Sequence, residues 1–488
     1  MVQQSVGEGG GEPQEELDRK TLQVLALLAS VVFVAVVNGT MINVALPHIG
    51  QEFGASEGLY GWLVTGYSLA FGIFSAVNGR LADIWGKRRV YMMGLVALGA
   101  CSVAVAAAPT LEFAIAVRAI QGAGAAALPV LGTTIIKTVV PPSRRGWAIG
   151  VILSTVGVAA SLGPFLGGVL VQFVSWRAVF LVPALMLLLF PVAMRLLPRS
   201  LDEQQDTSFD VIGALLLGVG IAALVYSSTT LKGGDLGWAP LLWAGGGLAG
   251  LVAFGVWISH HERPFVAPAL FKEGRYLMVC ALGFLVNAGR FGSVVLVPIL
   301  LTEIDGLEPI WVGGALFPGA VAIALLSTRA GAWADENGSR APVSLGMGTM
   351  AAGALCAALF AGGSFWGVTA GLTLYGVGFA LTQSPLINTA TQLVPRGQEG
   401  AGIGLFMMIF FVGGGAGVAL AVTMTELQDP LTACPIGFGD PEGGPYANAF
   451  LALGVASVMG LLLALALPSG RGEDVEAPVV EGAAVAKT

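Results

Sequence analysis

Apolar runs alternate with short polar connections along nearly the whole chain. They cover residues 21–46, 59–78, 90–108, 111–136, 147–173, 178–197, 209–230, 240–259, 276–301, 310–330, 342–362, 365–392, 401–425 and 447–467. Each is near or above the about 20 residues that a helix needs to cross the hydrocarbon of a bilayer. The pattern predicts an all-α membrane protein of fourteen transmembrane helices, with no room for a large soluble domain. An even count places both ends of the chain on one side.

The distribution of charge orients that bundle. With both ends cytoplasmic, only Arg177 and Lys232 of the 23 lysines and arginines fall in outer loops, and only Arg118 and Arg290 fall inside spans. The rest gather on the inner side, among them Lys87, Arg88 and Arg89, the pair Arg144 and Arg145, and Arg263, Lys272 and Arg275, as the positive-inside rule requires.

Composition narrows the class further. With 55% hydrophobic and 11% charged residues the chain is too apolar for an ordinary soluble surface. Its 71 glycines show no triplet period and suit close packing of membrane helices. The net charge of -7 forms no basic face, which argues against nucleic acid as a partner. Four cysteines, Cys101, Cys280, Cys356 and Cys434, lie far apart, so neither a disulfide framework nor a metal site is expected. No phosphate-binding loop or catalytic cluster stands out, and the adjacent His260 and His261 are expected to end a helix at the interface. No enzyme activity and no cofactor are expected.

The octapeptides GRLADIWG (79–86) and GAWADENG (331–338) share Gly, Ala, Asp and Gly at the same spacing, and each follows the second span of a six-span group. The chain is therefore expected to hold two pseudo-symmetric six-helix bundles, 21–200 and 263–468, joined by two inserted helices in 201–262. Residues 1–20, with no apolar signal segment, and 469–488 are expected to be disordered cytoplasmic tails.

These motifs, taken in order, resemble the major facilitator superfamily, in particular its fourteen-helix drug:proton antiporters. NVALP (43–47), WLVTGYSLAFG (62–72), GRLADIWGKRR (79–89), RAIQGAGAAALP (118–129) and GPFLGG (163–168) carry the likeness, which runs from about Leu22 to Leu467. The fourth-span run, FPGAV (317–321) and GAGIGL (400–405) look most like the tetracycline exporters of Gram-positive bacteria. The resemblance implies alternating access in a bacterial cytoplasmic membrane. It implies a monomer that exports drug-like or antibiotic-like molecules in exchange for protons.

It also implies gating or coupling roles for Asp83, Arg88, Arg118, Gly163, Pro164 and Asp335. Two readings stay open for several of them. Asp83 either latches the two halves or caps its own helix. Pro164, with the glycines beside it, either bends a sealing helix or is simply tolerated in a membrane span. Arg118, with Gln121 one turn on, either couples transport or ties helix carbonyls together.

The departures from the family are informative. Where those relatives carry carboxylates in the first, fifth and penultimate spans, this chain has VNGTMINV (37–44), GVAASLGP (157–164) and FFVGGGAG (410–417). Asp83, or a carboxylate at an outer end such as Glu112, Glu303 or Glu426, would have to carry protons. Arg290 lies in mid-span, roughly 20 Å along a helix from Tyr276, beyond easy reach of the surface. It either binds an anionic substrate in a central cavity or hydrogen-bonds carbonyls near Gly289 and Gly292. Asn38, Asn43, Trp62, Tyr67, Gln121, Asn287, Phe317 and Gln383 are the other candidates for the substrate wall. The alternative function is a proton-independent uniporter or exchanger of organic anions.

Overall fold

The computed structural model describes residues 18–141, 144–202, 210–229, 238–261, 268–394, 399–426 and 441–467, and no strand occurs among them. The expected tails lie outside the described residues, except that Arg19 already opens the first helix. In chain order the helices are α1 (Arg19–Phe53), α2 (Glu57–Tyr60), α3 (Trp62–Trp85), α4 (Lys87–Ala106), α5 (Leu111–Ala125), α6 (Ala127–Val139), α7 (Arg145–Phe173), α8 (Ala178–Ala184) and α9 (Phe190–Leu196). They continue as α10 (Val211–Thr229), α11 (Trp238–His260), α12 (Gly274–Ile299), α13 (Pro309–Asn337), α14 (Arg340–Phe360), α15 (Phe365–Leu393), α16 (Glu399–Glu426) and α17 (Gly444–Leu465). Among the described residues, 11 stretches are long and apolar enough to cross a membrane, and Leu162–Phe173 and Ile212–Ser227 are shorter apolar helices.

Helix ends follow local chemistry. α1 runs on past the apolar run through Pro47, and stops where Gly54 turns left-handed at φ 61° and its N–H reaches back to Gln51 and Gly50. The two octapeptides share one backbone device. Gly86 (φ 90°) and Gly338 (φ 82°) each end a helix in a region that favours glycine. Each donates its N–H to the carbonyl four residues earlier, Ala82 at 3.0 Å and Ala334 at 2.8 Å. α12 contains Pro298 and passes into a single π-helical turn, Leu300–Ile304, a feature that often marks functional positions.

Tyr446, at the start of α17, bonds to Glu57, just past the end of α1. The start of α1 and the end of α17 therefore both point toward the other end of the bundle. We call that end proximal and the Glu57 end distal.

The packing of the core differs between these ends. At the distal end one buried cluster draws on both halves: Val37 to Ile49, Leu63 and Val179 from the first, Val294 to Leu301, Val312, Leu372, Val418 and Leu453 from the second. Toward the proximal end the apolar interior splits. One cluster is built from Val24 to Val32, Tyr91 to Leu98 and Leu128 to Ile136. Another is built mainly from Tyr276 to Val286, Val343 to Ala354, Leu386 and Leu405 to Met408, joined by Leu217 and Phe254 of α10 and α11 and, from the first half, by Leu69 of α3.

α11 packs on α10 through Gly220, Gly247 and Gly250 and presents Leu241, Leu242, Leu248, Val252 and Val256 outward, as a lipid-facing helix does. Asp210 holds the start of this pair, accepting from the Gly213 N–H and the Trp257 indole, both at 2.8 Å.

Candidate functional site

The two intramembrane arginines have opposite surroundings. Arg118, on α5, is fully buried. Its Nε donates to the Leu63 carbonyl (3.2 Å), and its Nη1 to Gln121 Oε1 (2.6 Å) and Asn38 Oδ1 (3.5 Å). The guanidinium sits 4.1 Å from the centre of the Tyr67 ring, a cation–π contact. Gln121 passes the network on to the Leu98 carbonyl (3.0 Å) and Ser102 Oγ (2.6 Å). The structure thus joins Asn38, Tyr67, Arg118 and Gln121, all expected near substrate or in coupling, in one polar knot between α1, α3, α4 and α5, in which Arg118 Nη2 and Asn38 Nδ2 have no partner among the described residues.

Arg290, on α12, makes no hydrogen bond or ion pair through its side chain with any described residue. Its closest aromatic partner is Phe379 on α15, 5.8 Å from the guanidinium carbon to the ring centre. Tyr375, one turn earlier on α15, fills the space left by the missing side chain of Gly289 and bonds instead to Ser457 of α17 at 3.1 Å. Arg290 keeps partial exposure, and so does Gln383, which lies one turn beyond Phe379 and also forms no hydrogen bond with described residues.

The remaining candidates divide between packing and access. Asn287 is fully buried and donates to the Phe410 carbonyl at 2.8 Å, fixing α12 to α16. Asn43 is buried, and its Oδ1 has no partner among the described residues. Trp62 packs on Tyr226 at 5.5 Å, and Phe317 on Phe165 at 6.1 Å, so both are half-buried aromatic contacts. Arg88 donates to the Met194 carbonyl at 2.5 Å and pins α4 to α9 within the first half. Asp83 and Asp335 lie on α3 and α13, and their side chains fall outside the described residues.

Where the halves meet, side chains have been removed. Gly163 lies against the Thr40 hydroxyl, and a Cβ on Gly167 would sit 2.8 Å from the Met41 carbonyl oxygen, so α7 and α1 touch backbone to backbone. Across the seam, a Cβ on Gly168 would sit 2.5 Å from the Pro309 carbonyl oxygen, and one on Gly313 would sit 2.5 Å from that of Pro164. The GPFLGG segment therefore presses one side of α7 on its own half and the other on α13. A second seam joins α3 to α16, where a Cβ on Gly72 would lie 2.8 Å from Phe411 Cβ and Phe71 packs on Phe411 at 4.4 Å.

A cluster of hydroxyls and carboxyls closes the distal end, and sequence reasoning passed over most of it. Tyr60 of α2 donates to Glu303 Oε1 of the π-helical turn at 3.1 Å. Thr425 of α16 and Tyr446 of α17 donate to Glu57 at 2.8 and 2.7 Å. Glu303 stands close enough to Glu57 for the two carboxyl groups to repel as like charges, which favours a proton on one of them. Burial pushes the Glu57 carboxyl up to about 7, the charge of Glu303 adds to the rise, and the Tyr446 and Thr425 hydrogen bonds partly oppose it. Burial likewise raises the Tyr60 phenol, which stays a neutral donor. The signal lay in EGLY, a carboxylate and a tyrosine one turn apart between the first two spans, facing a tyrosine at the start of the last.

Comparison with known proteins fits this architecture. The Puromycin resistance protein pur8 of Streptomyces alboniger is 30% identical over 415 residues, which span 82% of this chain and 81% of that protein. The Multidrug resistance protein Stp of Mycobacterium tuberculosis is 29% identical over 409 residues, 82% of this chain and 75% of that one. Among solved structures, the peptide transporter POT in complex with sulfate superposes with a TM-score of 0.66 at 16% identity, covering 90% of this chain and 93% of that one. The human organic anion transporter MFSD10 does so with 0.59 at 17% identity, covering 91% and 99%. At such identities the likeness to solved structures is one of fold. The sequence itself matches the Major Facilitator Superfamily over residues 28–418, from within α1 into α16, and the chain belongs to that family.

Proposed function

We propose that the chain is a secondary active exporter of drug-like small molecules, working by alternating access in a bacterial cytoplasmic membrane and driven by protons. The observation that carries this reading is the interior that is shared at the distal end and divided at the proximal end. Two bundles packed in that way can rock about the α7–α13 and α3–α16 seams and expose a central space to one side at a time. The resistance named in the two relatives supports a drug-like cargo. The inward bias of lysine and arginine supports a cytoplasmic proximal end.

The Glu57–Glu303 pair supplies the proton site that the spans lack. A proton taken up from the outer side lets the two carboxyls approach, and the outer end seals while the cavity opens inward and loads. Loss of that proton toward the cell leaves two anions across the seam, whose repulsion opens the outer side and releases the cargo. One proton then moves in as one substrate load moves out. The test is uptake of a panel of fluorescent drug-like compounds into everted vesicles with and without an imposed pH gradient, for the parent chain and Glu57→Gln. Gradient-dependent uptake that Glu57→Gln uncouples supports the reading. Uptake indifferent to the gradient would favour a proton-independent exchanger.

A further inference from the structure

We propose that Arg290 is the anion anchor of the central cavity and that the cargo carries a carboxylate, sulfonate or similar oxyanion on an apolar, ring-bearing body. This deepens the exporter reading, since it assumes that the space between the halves is where cargo sits.

The argument rests on how differently the interior treats its polar groups. Most of the other large polar side chains of the helix interior are engaged, Arg118 by three acceptors and a ring, Gln121 by a carbonyl and a hydroxyl, Asn287 by a carbonyl, and those that are not, such as Asn43 and Gln383, are neutral amides. Arg290 alone among them brings a full charge with no acceptor from any described residue. Helix carbonyls do not serve it: the Arg290 carbonyl itself is capped by Ser293 Oγ at 3.1 Å, and the nearby Tyr375 hydroxyl is committed to Ser457. No carboxylate among the described residues acts on it: Glu303 lies more than three turns farther along α12 and its π-helical extension and is held at the distal seam. Breaking the partnership of a buried charge is among the more costly defects a fold can carry, so an arginine kept in this condition is matched by an acceptor that comes and goes.

Guanidinium geometry sets the class of that acceptor. Its planar fork donates two parallel N–H groups, which fits the two oxygens of a carboxylate or sulfonate. The surroundings define the rest of the molecule. Phe379 faces the guanidinium, with Phe410 6.3 Å beyond it, so a ring or apolar body can pack beside the anionic group. Gln383, on the same face of α15 one turn on, offers an unengaged amide for a second polar substituent. An organic cation would meet a like charge with no carboxylate to offset it.

The experiment measures equilibrium binding to the purified full chain in neutral detergent, which needs neither a gradient nor turnover. Three probes of one shape are compared: naphthalene-2-sulfonate, naphthalene-2-carboxamide and 2-naphthylmethylammonium. The expected order places the sulfonate about tenfold or more ahead of the amide, with the ammonium weakest. Arg290→Gln should bring the sulfonate down to the amide, and Arg290→Lys, a point charge without the fork, should keep part of the preference. Equal affinity for the three probes in the parent chain, or tighter binding of the ammonium, overturns the proposal without any variant. A sulfonate preference that survives Arg290→Gln also overturns it. Because no coupling is involved, gradient-independent export would sink the proton reading and leave this result intact.

Discussion

Tyr446 donates a 2.7 Å hydrogen bond to Glu57 across 389 positions of sequence, so the first connection and the last helix are held at one point of the distal seam. That point is also the proton site proposed above. The Glu57 carboxyl is raised to about 7, mainly by burial. For a raised carboxyl the sealed state binds the proton more tightly than an open state in which Glu57 is hydrated. Sealing is therefore fully favoured below the ordinary carboxylate range and is lost as pH climbs through about 7. With one proton involved, the sealed-to-open ratio should fall at most about tenfold per pH unit over that window. Distances between spin labels across the distal seam, followed from pH 5 to 8, would read it. Glu57→Gln should flatten the profile in the sealed form, and a parent chain whose distances ignore pH would contradict the assignment.

Arg118 should behave as a structural residue. Its removal strands Gln121 Oε1 in the buried interior, at a cost of about 1–3 kcal/mol for a buried group left without a partner, and takes a second donor from the Leu63 carbonyl. Arg118→Ala is expected to lower thermal stability in detergent markedly. Arg118→Lys should recover only part of it, because an ammonium cannot serve Leu63, Asn38 and Gln121 from one plane while lying on Tyr67. Unchanged stability combined with lost transport would place Arg118 in the transport step instead.

The same two residues mark how far the sequence could be read. Arg118 and Arg290 were both legible as charges in apolar spans, because a guanidinium in hydrocarbon is conspicuous at the level of composition. What separates them, three acceptors around one and none among the described residues around the other, depends on helices distant in the chain and has no local signature. The all-helical character followed from apolar run length, while 11 stretches among the described residues are long and apolar enough to span, against the fourteen expected. Glu57, Thr425 and Tyr446 were not singled out, since each sits at the polar end of a span where charge and hydroxyls are ordinary. Only the fold brings them to one place. The extension of α1 through Pro47 was missed for a related reason, as proline ends a helix by default unless neighbouring chains hold the freed carbonyl.

Arg177, outside the spans, should matter little. It makes a bidentate pair with Glu52, at 2.8 and 2.6 Å, and Glu52 also accepts from the Trp176 indole at 2.6 Å. Both ionic side chains are well exposed, at 39% and 43%, so water and salt screen them, and such a pair contributes about 0.2–1 kcal/mol. Arg177→Gln is expected to shift the melting temperature by no more than a few degrees and to leave transport intact. A large loss of folding yield would show that the pair closes the loop before α8 in a way its exposure does not convey.

The α7 seams give the sharpest contrast, because two glycines in one motif face partners of different kinds. Gly163 meets the hydroxyl of a side chain, Thr40, whereas Gly168 meets the Pro309 backbone across the seam between halves. A side chain can be trimmed and a backbone carbonyl cannot. Gly163→Ala should therefore impair folding or transport on its own and be partly rescued by Thr40→Ala, which removes the hydroxyl in the way of the new methyl and leaves a close contact with Cβ of residue 40 at 3.0 Å. Gly168→Val has no such remedy: overpacking costs about 1–3 kcal/mol, which here falls on the sealed state alone and should prop the distal end open. Spin-label distances across α7 and α13 should lengthen in Gly168→Val while thermal stability holds, and they should be unchanged in the Gly163→Ala, Thr40→Ala pair. If Thr40→Ala fails to rescue Gly163→Ala, close packing of α1 on α7 is not what that glycine serves.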